Sequence, residues 1–542
     1  MQDSTGVLIV GGGPVGLALA LDLAWRNVQA VLVEQDDREA RRVHPRMDGV
    51  APRTMEFCRR WGLVDAIERS DFPRDIPLDI VFGTSVLGLE LGREPFPSKA
   101  TAVPPPFSPN TGQICPQNLF DPILQEAVGR YSNATLLYRH RFISLVQDAD
   151  GVISEIENLE TGEKRSIRAR YLVACDGAGS SVAKQLGLDA AEAELLSCST
   201  NIFIDCPALA ERTKDRRGYR YLLIDQEKMW GSMVNISGRG IWRLQLLGDD
   251  SWPTWTDDEL HSMVRKAIGE DVRYEILSWV PWARRESVAP TYRRGRCFLA
   301  GDSAHQFSPT GGYGMNTGIC EAVDLAWKLD ANLQGWGGDT LLDSYEAERQ
   351  PLALRAARQA SINFKTMKEL PTDARLFEPG EEGDRIREHI GEEAQIRMKT
   401  EWRAIGIHLG GIYLDSPVIA CDQAEPPREH NPDVTQFVAN ACPGARAPHI
   451  WLDDGSSILD LFGRGFVLLD FGKGQASDAT ALLTAAEKVG MPMKRVDLAH
   501  ATDAAAMYAR RFVLVRPDGV VAWRSDVPPV DPEGLVNIVR GV

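Results

Sequence analysis

Residues 7–34, VLIVGGGPVGLALALDLAWRNVQAVLVE, limit the possible folds more than any other stretch of the chain. Val7-Leu8-Ile9-Val10 is an unbroken apolar run of strand length, the pattern of a strand covered on both faces. The run breaks at Gly11, Gly13 and Gly16, with Pro14 and Val15 between them, and enters a helix whose apolar residues include Leu17, Leu19, Leu21 and Leu23. A second apolar run, residues 30–33, ends on Glu34 and Gln35. Strand, glycine turn, helix and strand in this order form a dinucleotide-binding unit. Its glycines give a tight turn, close approach of a pyrophosphate and close helix–strand packing, and the helix N-terminus offers N–H groups to the phosphates. Glu34 stands about 20 residues beyond the glycines, where an acid hydrogen-bonds a ribose 2′-OH and repels a 2′-phosphate. The unit therefore suits FAD or NAD better than NADP.

At 542 residues the chain has room for two or three domains, and its 44% hydrophobic and 25% charged content is an ordinary globular balance. The first strand starts within a few residues of Met1, which leaves no space for a secretion signal, and there is no run of about 18 apolar residues. A cytoplasmic protein with no membrane partner is expected. Net charge −16 argues against non-specific nucleic-acid binding. The nine cysteines form no CxxC pair and read as reduced thiols, and the nine histidines show no HxxxH or HExxH spacing, so no metal site is expected.

Changes in pattern along the chain divide it into parts. Residues 1–77, 110–190 and 291–370 read as three parts of one dinucleotide-binding α/β domain. Residues 78–109 and 191–290 read as an inserted antiparallel sheet, with strands near 201–205, 219–224, 231–237 and 242–247 and a helix over 257–268. Asn118 is expected to cap a helix over 120–128. A helical linker region spans 371–440, and 441–542 forms a small α/β domain that closes on the hairpin pattern of residues 512–523.

Two further motifs carry chemistry. In YLVACDGAGSSV, residues 171–182, a buried strand runs into Asp176 and Gly177, where a ligand can approach the backbone. In GRCFLAGDSAHQFSPTGGYGMNTGICEAVDLAWKL, residues 295–329, a strand ends at Gly301-Asp302. A loop with Pro309, Gly312 and Gly314 then delivers the N-terminus of a long helix, which stabilises negative charge.

Together GGGPVG, CDGAGSSV and LAGDSAHQFSPTGGYGMNTG resemble the group A FAD-dependent aromatic monooxygenases, the para-hydroxybenzoate hydroxylase fold, over about the first 360 residues. The segments PGARAPH, LDLFGRGFVLL and VLVRPDGVVAWR are similar to the thioredoxin-like tail of the phenol hydroxylase and 3-(3-hydroxyphenyl)propionate hydroxylase branch. Without CxxC that tail is not a dithiol redox site and reads as structural or as part of a dimer contact. The resemblance implies a Rossmann-like FAD-binding domain with an inserted antiparallel-sheet substrate domain and a C-terminal thioredoxin-like α/β domain, assembled as a homodimer. It implies bound FAD reduced by transient NADH or NADPH, then O₂ adding to give a flavin C4a-hydroperoxide that hydroxylates a small phenolic or resorcinolic ring, in aromatic catabolism. The same fold also serves enzymes that tailor larger polycycles or modify antibiotics, and a non-catalytic FAD redox sensor is a third reading.

Carried over by motif, Gly11, Gly13, Gly16 and Glu34 hold the adenosine half, with Pro14, Val15 and Gln35 beside them. Arg46 and Gln117 reach the pyrophosphate or ribityl region, Asp176 and Gly177 form the docking turn, and Gly301 and Asp302 hold the ribityl chain. Pro309, Gly312, Gly314, Met315 and Asn316 line the flavin ring. A phenol reacts best as phenolate, so the site needs a base or acceptor. Asp48, in RMDG, matches an active-site Asp of the phenol hydroxylase branch, although an Asp before a glycine also caps loop ends. Tyr221, Arg243 and Tyr292, on or just after the inserted sheet, are expected to bind or polarise the substrate hydroxyl. His305 reads as structural. Ser308 replaces a second proline of some members, and Ile319-Cys320-Glu321-Ala322 replaces a Gln-Asp-Ala segment.

Overall fold

A computed structural model describes residues 3–39, 47–188, 193–421, 429–472 and 479–542. The first apolar run becomes strand Asp3–Val10, central in a sheet with Lys164–Ala174 on one side and Ala30–Val33 on the other, both parallel to it. Cys297–Leu299 and Ala134–Leu137 extend the sheet in the same sense. Helices Pro14–Trp25 and Tyr313–Leu333 pack on this sheet, and Val7, Leu8, Ile9, Leu17, Leu325 and Leu329 are wholly buried in one core. Helix Gln117–Val128 starts on Pro116 as its cap residue, so Asn118 lies inside the first turn and does not cap it.

A second sheet runs in the order Glu275–Val288, Glu194–Asp205, Ile241–Leu246, Met229–Asn235, Arg220–Ile224, Ile80–Gly83 and Glu90–Glu94. Its strands are antiparallel except that Arg220–Ile224 runs parallel to Ile80–Gly83. Helix Asp257–Ile268 covers one face, opened by a capping box between Thr256 and Glu259. The other face meets helices Asp339–Lys368 and Glu381–Trp402, where Phe82 and Leu222 pack with Phe364, Ile390 and Met398. Strand Glu275–Val288 runs well beyond residue 279, where the antiparallel pattern fades in the sequence.

The C-terminal sheet has the order Met493–Asp497, Phe466–Asp470, Phe512–Val515 and Val521–Ser525, only the first pair being parallel. With helices Thr480–Lys488 and Pro532–Arg540 on one face this is a thioredoxin-like arrangement. The domain is joined to the first by buried charges. Arg516 pairs with Asp324 at 2.9 Å, Glu348 at 2.5 Å and Asp518 at 2.6 Å, while Lys328 pairs with Asp324 and Glu348 at 2.9 and 2.6 Å. Among the described residues no helix is long and apolar enough to cross a membrane.

Candidate active site

The three motifs converge at the C-terminal ends of the parallel strands, where such folds bind nucleotides. Gly11 has φ +107°, and a Cβ there would lie 2.2 Å from the Cys175 carbonyl oxygen; one on Gly16 would lie 2.0 Å from the Gly11 carbonyl oxygen. Helix Pro14–Trp25 thus starts hard against the turn, with Gly13 as its cap residue. Glu34 Oε2 accepts from Gly12 N at 2.6 Å, and together with Arg38, Gln117 and Gln125 these residues border a small pocket. Gln117 Nε2 donates to Asp121 at 3.0 Å, and Gln35 is exposed beside the pocket. Arg46 lies outside the described residues.

The second and third motifs are tied by side chains. Gly177 N donates to Ser303 Oγ at 3.0 Å, and Ser303 Oγ donates to Asp176 Oδ1 at 3.1 Å. Val15 lies against Gly301, whose φ is +62°, and against Gly318 of helix Tyr313–Leu333. Glu321 accepts from Gly301 N at 2.8 Å and pairs with buried His305 at 3.0 Å, so the residue that departs from the family pattern anchors the loop. Asp302, Pro309 and Gly312 remain exposed on the open side of that loop, with Gly314 and Met315 half-buried behind them. Asn316 accepts from Ala51 N and Thr54 Oγ1, both at 2.8 Å, and holds residues 49–54 against the helix start.

On the inserted sheet, the face turned to this loop carries arginines. Arg243 forms a two-pronged pair with Asp48, at 3.2 and 2.5 Å. Burial opposes the Arg243 charge, but Asp48 outweighs it and the guanidinium titrates above its usual range. Arg284 is 1% exposed. Its Nη1 donates to Ser308 Oγ at 2.8 Å, its guanidinium lies over the Phe364 ring at 4.0 Å, and burial lowers its pKa to about 9. Arg220 pairs with Glu401 at 3.0 Å and lies over Trp402.

The structure does not bring Tyr221 or Tyr292 to this face. Tyr221 points to the opposite side of the sheet, packs near Trp242 under helix Asp257–Ile268, and accepts from Gly218 N at 3.0 Å. Tyr292 is wholly buried in the first domain's core beside Tyr345. Tyr219, two residues before Tyr221, is the tyrosine beside Asp48 and Arg243; burial, then the Asp48 charge, pushes its phenol well above the usual range. Tyr219, Arg220 and Glu401 had no motif to mark them.

Residues 4–360 match the family described as FAD binding domain, and residues 440–542 match that described as aromatic-ring hydroxylase, C-terminal. The chain belongs to the FAD-dependent aromatic-ring hydroxylases. This hydroxylase is 33% identical to 4-methyl-5-nitrocatechol 5-monooxygenase of Burkholderia sp, over 99% of its own length and 97% of that protein. It is also 33% identical to a putative polyketide hydroxylase of Streptomyces halstedii, over 96% and 93% of the two chains. Among solved structures it matches RebC, soaked with chromopyrrolic acid and holding 7-carboxy-K252c, at TM-score 0.93 and 40% identity over 100% of both chains. The glycine cradle, which a single Cβ would fill, and the polar pocket at Glu34 and Gln117 fit FAD. As a monooxygenase it also uses O₂ and a reduced nicotinamide co-substrate.

Proposed function

We propose that this hydroxylase tailors a large polycyclic aromatic substrate, in preference to a single-ring phenol. The likeness to RebC carries the reading, since it covers both chains end to end at 40% identity. The polyketide hydroxylase relative supports it.

FAD supplies the redox chemistry and the activation of O₂. In this reading Gly11, Gly13, Gly16 and Glu34 hold its adenosine half, Gln117 its pyrophosphate, Asp302 its ribityl chain, and residues 309–316 its ring. The N-terminus of helix Tyr313–Leu333 favours negative charge there. Asp48 accepts the hydrogen bond of the substrate's hydroxyl, and the two-pronged pair with Arg243 fixes the position of the carboxylate. Tyr219 stays protonated at neutral pH and serves as a donor in the same group.

The test is coenzyme oxidation by the FAD-loaded protein, with mass analysis of products, across polycyclic phenols and single-ring phenols, resorcinols and hydroxybenzoates. A polycycle that accelerates coenzyme oxidation and gains one oxygen atom is the expected result. Tightly coupled hydroxylation of single-ring phenols alone would replace this reading with the small-phenol one.

A further inference from the structure

A cavity of about 80 Å³ lies between helices Tyr313–Leu333 and Asp339–Lys368 and the C-terminal domain; it touches the flavin-ring loop at Tyr313 and Asn316, while neither Asp302 nor Pro309 borders it. Four arginines do: Arg53, Arg349, Arg355 and Arg446. The volume holds several waters or one small oxyanion and is too small for a dinucleotide or a polycycle.

Arg349 and Arg446 are 6% and 5% exposed, yet Arg349 Nε and Arg446 Nη1 have no hydrogen-bond partner among the described residues. Buried N–H groups are nearly always paired, so two on the rim of one cavity point to an acceptor inside it. The charges agree. Among the described residues Arg349 donates only to neutral oxygens, Tyr413 Oη at 3.1 Å and the Thr317 carbonyl at 3.4 Å. Arg355 donates to the carbonyls of Gly406 and Asn431, at 2.9 and 3.3 Å. Glu56 serves both Arg53 and Arg446, and the Asp518 carboxylate is taken by Arg516. Positive charge is therefore in excess among the side chains that border the cavity.

We propose that this cavity is a binding site for a small inorganic oxyanion, phosphate or sulfate, held by Arg349, Arg355 and Arg446. The donors come from a first-domain helix and from the C-terminal domain, which suits an acceptor with oxygens in several directions. Bound there, the anion braces one domain against the other and stabilises the folded chain by mass action.

The test uses the FAD-loaded full chain in buffer free of both anions, titrated with inorganic phosphate in a calorimeter while sodium chloride keeps the ionic strength constant. One saturable site per chain is expected, with half-saturation below about 10 mM, and a melting temperature that rises along the same curve. Arg355→Gln, whose two partners are main-chain carbonyls, keeps the yellow FAD spectrum and binds phosphate about tenfold more weakly. Arg349→Lys, which keeps the charge but loses the fork, weakens binding similarly. Absence of saturable binding up to about 50 mM, or unchanged affinity in Arg355→Gln, overturns the proposal.

Discussion

At the scale of single residues, two tyrosines two positions apart have different fates. Tyr219 stands by the Asp48–Arg243 pair, while Tyr221 is sealed under a helix on the other face. Tyr221→Phe should leave kcat within about twofold and cost about 1 kcal/mol of stability, because Gly218 N loses its acceptor; a thermal melt alongside steady-state assays checks both. Asp48→Asn should lower kcat by about 100-fold or more with FAD content unchanged. Full activity in Asp48→Asn would remove it from the proposed chemistry. The sequence singled out Asp48 and Arg243 separately but held no sign that they touch, since 195 positions separate them. Nor could it choose between the tyrosines: both faces of that sheet are covered, so the alternation of apolar and polar residues that marks a solvent face is missing.

Among elements, the glycine turn, its helix and the long helix after the third motif were legible because their signals are local: an apolar run, residues with freedom at positive φ, a helix start. The inserted sheet was legible as strands but not to its full extent. Strand Glu275–Val288 carries Pro281, Arg284 and Arg285, a composition that reads as its end, yet Arg284 there reaches the loop at Ser308. Helix Asp339–Lys368 continues through Pro351, although a proline inside a helix removes a hydrogen bond and ordinarily kinks it. The first and third motifs meet tightly at Gly318, where an added Cβ would lie 2.5 Å from Val15 Cγ2 and 3.0 Å from Gly301 Cα. Gly318→Ala should therefore push the third motif's loop off the first motif's helix and weaken FAD binding about tenfold, measured by flavin fluorescence during titration of the apoprotein.

For the whole molecule, burial holds His408 and His449 down to about 4 from an ordinary 6.5. Both are neutral in the fold, while the unfolded chain takes up protons near 6.5. Their contribution is thus full above pH 6.5 and is lost as pH falls toward 4. Burial pushes the Asp324 carboxyl above the usual carboxylate range, against the pull of Lys328 and Arg516, so its part works in the opposite sense and is lost as pH rises. The His408→Gln variant should accordingly lose less melting temperature than the parent between pH 7 and pH 5; an equal loss in both would dismiss the histidine's part. Arg516→Met should cost about 3–5 kcal/mol, since it leaves Asp324, Glu348 and Asp518 buried with Lys328 alone.

That arginine has a bearing on synthesis as well. It follows Glu348 by 168 positions and Asp324 by 192. While the chain is being made, the two long helices leave the ribosome carrying two acids that share one cation, Lys328, and the second, Arg516, has yet to be translated. They can settle beside the nucleotide-binding sheet only provisionally until the closing hairpin arrives. A message cut short before residue 516 would yield a protein with every cofactor motif in place and a seam that cannot shut, a product that cellular proteases can tell from the finished one.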